Sequence, residues 1–313
     1  TFAIDMNLQQ LEYIHALDKY RHFGRAADHC QVTQPTLSTM IQKLEEELGV
    51  KIFDRSDLPI QPTAVGRLIL DQAALILRQT EQLREVIHQE YEALSGTVRL
   101  AVLPTIAPYL LPRLLPLVRK ELPELRLEIT ELKTSDCLEE LIAGEQDLAI
   151  IATASQREEL LDQPLYYEEF AAYVSPNSPL YKEEHIRSSE VGKQQLWLLD
   201  EGHCFRDQLV KFCQLAHSTR QQISYHRGSL ETFMHLVDQG DGVTFLPQLA
   251  TEMLPAERHS QVKPFALPRP TRAVTLVRHR EYVRQRLVEV LSTLIQASVP
   301  ESMLQLTMEQ DLV

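Results

Sequence analysis

The sequence predicts an α/β protein: a small winged helix-turn-helix head, one long linker helix, and a two-lobed α/β region. Three observations predict it. Residues 7–62 carry short helical patterns broken by turns, residues 63–94 form one uninterrupted periodic stretch, and residues 97–298 alternate strand-like with helix-like segments. The 313 residues suit two or three domains and can bury enough core to need neither metal nor disulfide as a staple. No run of 18 apolar residues occurs, which excludes a membrane-spanning helix. No basic stretch followed by an apolar one opens the chain, so a cytoplasmic location is expected.

The elements follow in order. Leu8, Leu11, Ile14 and Leu17 recur on one face of a helix over 8–20. Phe23–Cys30 predicts a second helix, where Ala26 and Ala27 let a neighbour approach closely. Thr33 is placed to N-cap a third helix with Pro35 in its first turn, running to Leu48 and stopped by Gly49. Two short helices joined by a tight turn, the second opening on polar residues, form a helix-turn-helix whose N-terminal face can reach base edges in the major groove. The residues presented there are Thr33, Gln34, Pro35, Thr36 and Ser38, with Lys43 one face further along. Residues 51–62 predict a two-stranded wing in which Lys51 and Arg55 are placed to touch phosphates. The bland alternative is a helical cap that uses its Ser and Thr as ordinary caps.

Charge restrains this reading. The chain carries a net −13, which excludes a chain-wide nucleic-acid footprint. Residues 1–67 alone are slightly acidic, so phosphate neutralisation gives each head modest affinity and dimerisation doubles the contacts. The helix over 63–94 starts at Thr63 as N-cap and carries Leu68, Leu75, Ile76, Leu83, Val86 and Ile87 as its apolar stripe. A rod of roughly 45 Å with one such stripe calls for a partner helix, and a second copy of the chain is the expected one. Packing on its own domain is the alternative.

Beyond Gly96, strands are expected at Val98–Val102, Leu125–Glu131, Leu148–Ala152, Phe170–Val174, Leu196–Leu199, Ile223–Tyr225, Val243–Leu246 and Ala273–Val277. Helices at Pro108–Lys120 and Ser135–Ala143 separate the first of them, which predicts a largely parallel sheet. Pro164 and the run Pro264–Pro270 are the expected crossing points between lobes. The division is therefore 1–62 head, 63–94 linker, and 97–300 regulatory region, with lobes 97–166 plus 270–300 and 167–269; the tail 301–313 has no assigned element.

Four cysteines, Cys30, Cys137, Cys204 and Cys213, show no CxxC spacing, so no zinc site or other cofactor is expected. Cys204 follows the turn Glu201-Gly202-His203 and is placed to open a helix, where unpaired N–H groups favour a thiolate. His203 and Arg206 add donors, whereas Asp207 opposes the thiolate by charge. A reactive thiol of lowered pKa is the expectation. Cys213 lies nine residues on, about 13 Å along a continuous helix and on its opposite side. A disulfide needs Cα atoms within about 7 Å, so the pair cannot bond while that helix is intact. Either the two are unrelated or their bonding unwinds the segment. Cys30 reads as core. Cys137, three positions after Thr134, is near enough in sequence to share a site with it.

The stretch AADHCQVTQPTLSTMIQKLEEELGVKIFDR resembles the N-terminal winged helix-turn-helix of LysR-type transcriptional regulators, and the long helix and two lobes match that family's architecture. The resemblance implies a non-enzymatic, DNA-binding dimer or tetramer with periplasmic-binding-protein-like lobes. The wing tip, Ser56-Asp57-Leu58-Pro59, departs from the basic tips of many members. Three further segments, PTIAPYLLP (104–112), GHCFRDQLVKFC (202–213) and SLETFMHLVDQGDGVTFLP (229–247), are similar to those of peroxide-sensing members. That similarity implies that Cys204 is the peroxidatic thiol and Cys213 its resolving partner. It implies that Thr105 and Thr134 bind peroxide or water, that His203 and Asp207 are polar neighbours, and that Arg272 supports the thiolate. It further implies an activator of oxidative-stress genes that works with double-stranded operator DNA, other copies of itself, RNA polymerase, and a glutaredoxin or thioredoxin reductant. A LysR-type regulator answering a small metabolite between the lobes is the alternative. A peroxide-consuming enzyme and an exported binding protein are more distant rivals, both opposed by the N-terminal head.

Overall fold

The computed structural model describes residues 6–56, 59–89, 94–199, 204–213, 228–240 and 242–313. The chain forms two compact units, Thr1–Tyr91 and Glu92–Val313. Among the described residues no helix is long and apolar enough to cross a membrane.

In the first unit, α1 (Leu8–Tyr20) opens on a capping box between Asn7 and Gln10. Leu11, Ile14 and Leu17 are buried as expected, but Leu8 is exposed, because it lies at the helix entry outside the packed turns. Helix α2 (Phe23–His29) leads into α3 (Gln34–Leu48), with Thr33 as N-cap, Pro35 in the first turn, and Gly49 in the left-handed region at φ 69°. Strands β1 (Phe53–Asp54) and β2 (Gln61–Pro62) pair antiparallel as the wing; Asp57 and Leu58 of its tip lie outside the described residues. Helix α4 (Ala64–Gln89) starts where the Thr63 hydroxyl accepts the Gly66 N–H at 2.8 Å. Gly66 is required here, since a Cβ would sit 1.9 Å from the Ile52 carbonyl oxygen. On α4 Leu70 and Ala73 enter the core of the head, whereas Leu68 and Ile76 of the stripe expected to meet a partner helix are exposed. Packing on the head selects one face of α4 and leaves the other apolar face open.

The second unit runs β3 (Gly96–Val102), α5 (Ala107–Glu121), β4 (Leu125–Glu131), α6 (Thr134–Ala143), β5 (Leu148–Ile151), β6 (Leu160–Val174), α7 (Ser188–Val191), α8 (Cys204–Phe212), α9 (Leu230–Gln239), β7 (Val243–Pro247), α10 (Gln248–Thr251), β8 (Val262–Pro264), β9 (Arg269–His279), α11 (Gln285–Ala297) and β10 (Gln310–Leu312). The strand order is β4-β3-β5-β9-β6-β7, with β8 on β6 and β10 on β9. The expected parallel character holds for β3 with β4 and β5, but β9 against β5 and β6, and β6 against β7, are antiparallel. The reason is topological: β6 carries the chain out from one core and β9 brings it back. Two apolar cores result, one on Leu100, Leu110, Ile150 and Leu276, the other on Phe170, Phe205, Phe233 and Phe245.

Two expected strands differ. Residues 196–199 make only an isolated bridge, Leu196 to Val243. The Thr244 hydroxyl donates to the Trp197 carbonyl at 2.9 Å, occupying an acceptor that a longer ladder would use. The strand expected at 223–225 lies outside the described residues. Conversely, the tail left without an element pairs in parallel with β9, Gln310 to Leu312 against Arg269 to Thr271.

Candidate functional site

The head presents its polar surface where α3 begins. Thr33, Gln34, Pro35, Thr36 and Lys43 are exposed, Ser38 is half-buried, and Leu37 between them anchors the helix in the core. The Thr33 hydroxyl accepts the Thr36 N–H at 3.4 Å and shares a 2.8 Å hydrogen bond with the Thr36 hydroxyl. Arg55 is not the free cation that phosphate contact would favour. It donates to Glu45 at 3.1 Å and lies over the Phe23 ring at 5.3 Å. Glu45 was not singled out in the sequence. It is buried, and its carboxylate also accepts the Ile52 and Phe53 N–H groups at 2.8 and 3.2 Å, tying the wing to the end of α3.

In the second unit, Cys204 is the first residue of α8 and is half-buried against the first core, whereas Phe205, Leu209 and Cys213 enter the second. The short helix thus spans both cores. All four cysteines are free thiols. Cys213 is buried at the far end of α8, its thiol pushed up to about 12 by burial. With the helix intact, the two sulfurs lie at opposite ends of it.

Around Cys204 the expected residues separate into those brought together and those not. The Thr134 hydroxyl, at the start of α6, is buried, faces the sulfur, and has no hydrogen-bond partner of ordinary geometry. Burial pushes the Cys204 thiol up; Thr134, the Arg272 guanidinium and the Phe205 N–H pull it back down, and Asp207 pushes it up. Burial wins, so the lowered pKa expected from the helix start alone is not found: desolvation of the thiolate outweighs the donors. Asp207 itself is exposed. His203 lies outside the described residues. Cys137 is fully buried on α6, donates weakly to the Leu132 carbonyl at 3.7 Å, and is pushed up to about 12 by burial, with Glu140, Asp136 and Cys204 adding to it.

Arg272 is the centre of the arrangement. It is completely buried on β9, its Nη1 donating to the Thr105 hydroxyl at 3.1 Å and its Nη2 to the Thr105 carbonyl at 3.0 Å. Its Nε and Nη2 both donate to Glu168, at 2.9 and 2.7 Å, and it lies over the Phe170 and Phe205 rings at 5.7 and 5.4 Å. Glu168 sits opposite Arg272 in the β6–β9 register. Sequence reasoning missed it, although a signal existed: Tyr166, Glu168, Phe170 and Ala172 alternate on the buried face of β6, and a carboxylate in that row needs a cation. Also missed was Gln208, whose amide donates to the Ala152 carbonyl at 2.8 Å and the Val313 carbonyl at 3.1 Å.

Two family descriptions match. "Bacterial regulatory helix-turn-helix protein, lysR family" covers residues 8–67, and "LysR substrate binding domain" covers residues 92–300. The chain belongs to the LysR family. Within that family it is similar to the "Hydrogen peroxide-inducible genes activator" of Haemophilus influenzae, 35% identical over 87% of this chain and 90% of that one. Among solved LysR-family structures, a full-length OxyR variant from Pseudomonas aeruginosa is 36% identical, with a TM-score of 0.78 over 93% of this chain and 98% of that one. OxyR from Porphyromonas gingivalis is 49% identical, with a TM-score of 0.66 over 70% of this chain and 99% of that one.

Proposed function

We propose that this LysR-family transcriptional regulator senses hydrogen peroxide through Cys204 and Cys213. The observation that carries the reading is Cys204 at the opening of α8, facing the buried Thr134 hydroxyl and within the field of the Arg272 guanidinium, with Cys213 just past the other end of the same helix. The names of the similar proteins point the same way. The Cys204 thiolate attacks one peroxide oxygen; the S–O bond forms, the O–O bond breaks, and the departing hydroxide takes a proton as water. Thr134 and Arg272 supply donors for the oxygens, and Thr105 is held by the same guanidinium. The Cys213 sulfur then attacks the sulfenic sulfur, an S–S bond forms, and a second water leaves. Because α8 holds the sulfurs too far apart, this second step unwinds the helix. A dithiol of the thioredoxin or glutaredoxin class would restore the thiols.

The head would bind operator DNA through Gln34, Thr36 and Ser38, with Thr33 and Pro35 shaping the helix start and Lys43 close to the backbone. The exposed Val65, Leu68 and Ile76 on α4 support pairing of two copies. Further pairing through the regulatory units, contact with RNA polymerase and a cytoplasmic setting complete the reading.

Peptide mass spectrometry after one equivalent of peroxide tests the sensor. The expected product is a Cys204–Cys213 linkage, absent in Cys204→Ser, with the transcriptional response lost; two free thiols in the wild type would overturn it. For the head, replacing Gln34 and Thr36 with Ala is expected to weaken specific operator binding at least tenfold and leave non-specific binding unchanged. Equal operator affinity would remove those residues from the interface.

A further inference from the structure

We infer that Glu168 is the positioning residue of this site: its buried carboxylate both aims the Arg272 guanidinium at Thr105 and tempers the positive charge that Cys204 meets. The inference rests on Cys204 being the reacting thiol.

The geometry is specific. Glu168 Oε2 takes two of the five guanidinium N–H groups, and Thr105 takes two more through its hydroxyl and carbonyl. Among the described residues, one N–H on Nη1 is left without a protein acceptor. The other carboxylate oxygen, Oε1, accepts the Leu249 N–H at 3.0 Å, so Glu168 cannot swing without stranding a buried amide. Both acidic and basic partners are essentially inaccessible to water, at 1% and 0% exposure, so neither charge is screened by solvent. Phe170 and Phe205 pack edge-to-face at 5.0 Å and both meet the cation, and Phe205 directly follows Cys204.

An unpaired buried guanidinium next to a thiol would draw out its thiolate strongly; one bound to a carboxylate does so less. The other groups that act on the thiol are the Thr134 hydroxyl on α6, the Phe205 N–H and Asp207 on α8; Cys204 in turn helps raise Cys137 on α6. Tyr109 on α5 feels Arg272, Glu168 and Glu231, and burial holds its phenol up near 12, so it stays neutral through the range tested. Glu168 therefore has two separable effects, one through charge and one through position.

Two substitutions in the full chain separate them. Glu168→Gln keeps the shape and removes the charge. Glu168→Asp keeps the charge and withdraws the carboxylate by one methylene. The readouts are the pH profile of Cys204 alkylation by iodoacetamide and the pH-independent limiting rate of its oxidation by peroxide, both followed on the Cys204 peptide by mass spectrometry. In Glu168→Gln the alkylation midpoint is expected to move down by about one pH unit. In Glu168→Asp the midpoint stays and the limiting peroxide rate falls about tenfold, as Arg272 and Thr105 lose their alignment. A chain that is merely less heat-stable, with midpoint and limiting rate both unchanged, would overturn the inference. Should Glu168→Gln fail to fold, an unchanged limiting rate in Glu168→Asp is enough to overturn it. If wild-type Cys204 resists peroxide, the functional reading fails, while the alkylation profiles still decide the charge effect.

Discussion

Two buried glutamates organise this molecule, one in each unit, and they do opposite work with similar chemistry. Glu45 in the head accepts two backbone N–H groups and binds Lys51 and Arg55, whose side chains are 68% and 34% exposed. Its cations keep their water, so losing one leaves no stranded charge. Glu168 in the sensor binds Arg272, which has no exposure at all. There each ion depends on the other, and removing one leaves a bare charge in a dry interior. The head is thus a tolerant scaffold that displays residues outward, and the sensor is an intolerant one that holds residues toward an internal reaction.

The largest effect expected from this contrast is in the sensor. Arg272→Met should lower stability by about 3–5 kcal/mol by isolating Glu168, and the double replacement of Glu168 and Arg272 by Met should recover most of it. Urea unfolding measures both; a single-mutant loss near that of a surface change would erase the distinction. Glu45→Gln should cost about 1–3 kcal/mol, because an amide oxygen in place of Oε1 accepts the Ile52 and Phe53 N–H groups without a charge, and the NH2 in place of Oε2 faces Lys51 and Arg55 instead of accepting from them. Hydrogen exchange at Ile52 and Phe53 would register the opened wing. Smallest is Arg55→Met, at about 1 kcal/mol or less, since solvent already screens that pair. If Arg55→Met matched Arg272→Met, exposure would not be what separates the two sites.

Local chemistry made much of this legible in the chain itself. The Thr33 cap, Pro35 and Gly49 delimit α3 at Gln34–Leu48, because caps and breakers act within one turn of the residues that carry them. β4 runs Leu125–Glu131, where apolar periodicity placed it. The antiparallel half of the sheet was not legible. Whether β9 runs with or against β6 depends on a return path spanning about a hundred residues, and no local pattern records it. Nor was the face of α4 that the head covers: contact with the head took Leu70 and Ala73 and left Leu68 and Ile76 of the expected stripe exposed.

The thiol chemistry divides along the same line. The sequence by itself determined that Cys204 opens a helix and that Cys213 stands nine residues away, beyond bonding reach while the helix lasts, since helical rise is a property of the backbone alone. Only the tertiary structure decided the state of the Cys204 thiol. Its acidity is a balance between burial and the donors Thr134 and Arg272, which reach it from α6 and β9. Likewise only folding could set Glu168 across from Arg272, two residues far apart in the chain that β6 and β9 make into a cross-strand pair. Desolvation and Coulomb attraction act through space, so they are written where the chain packs.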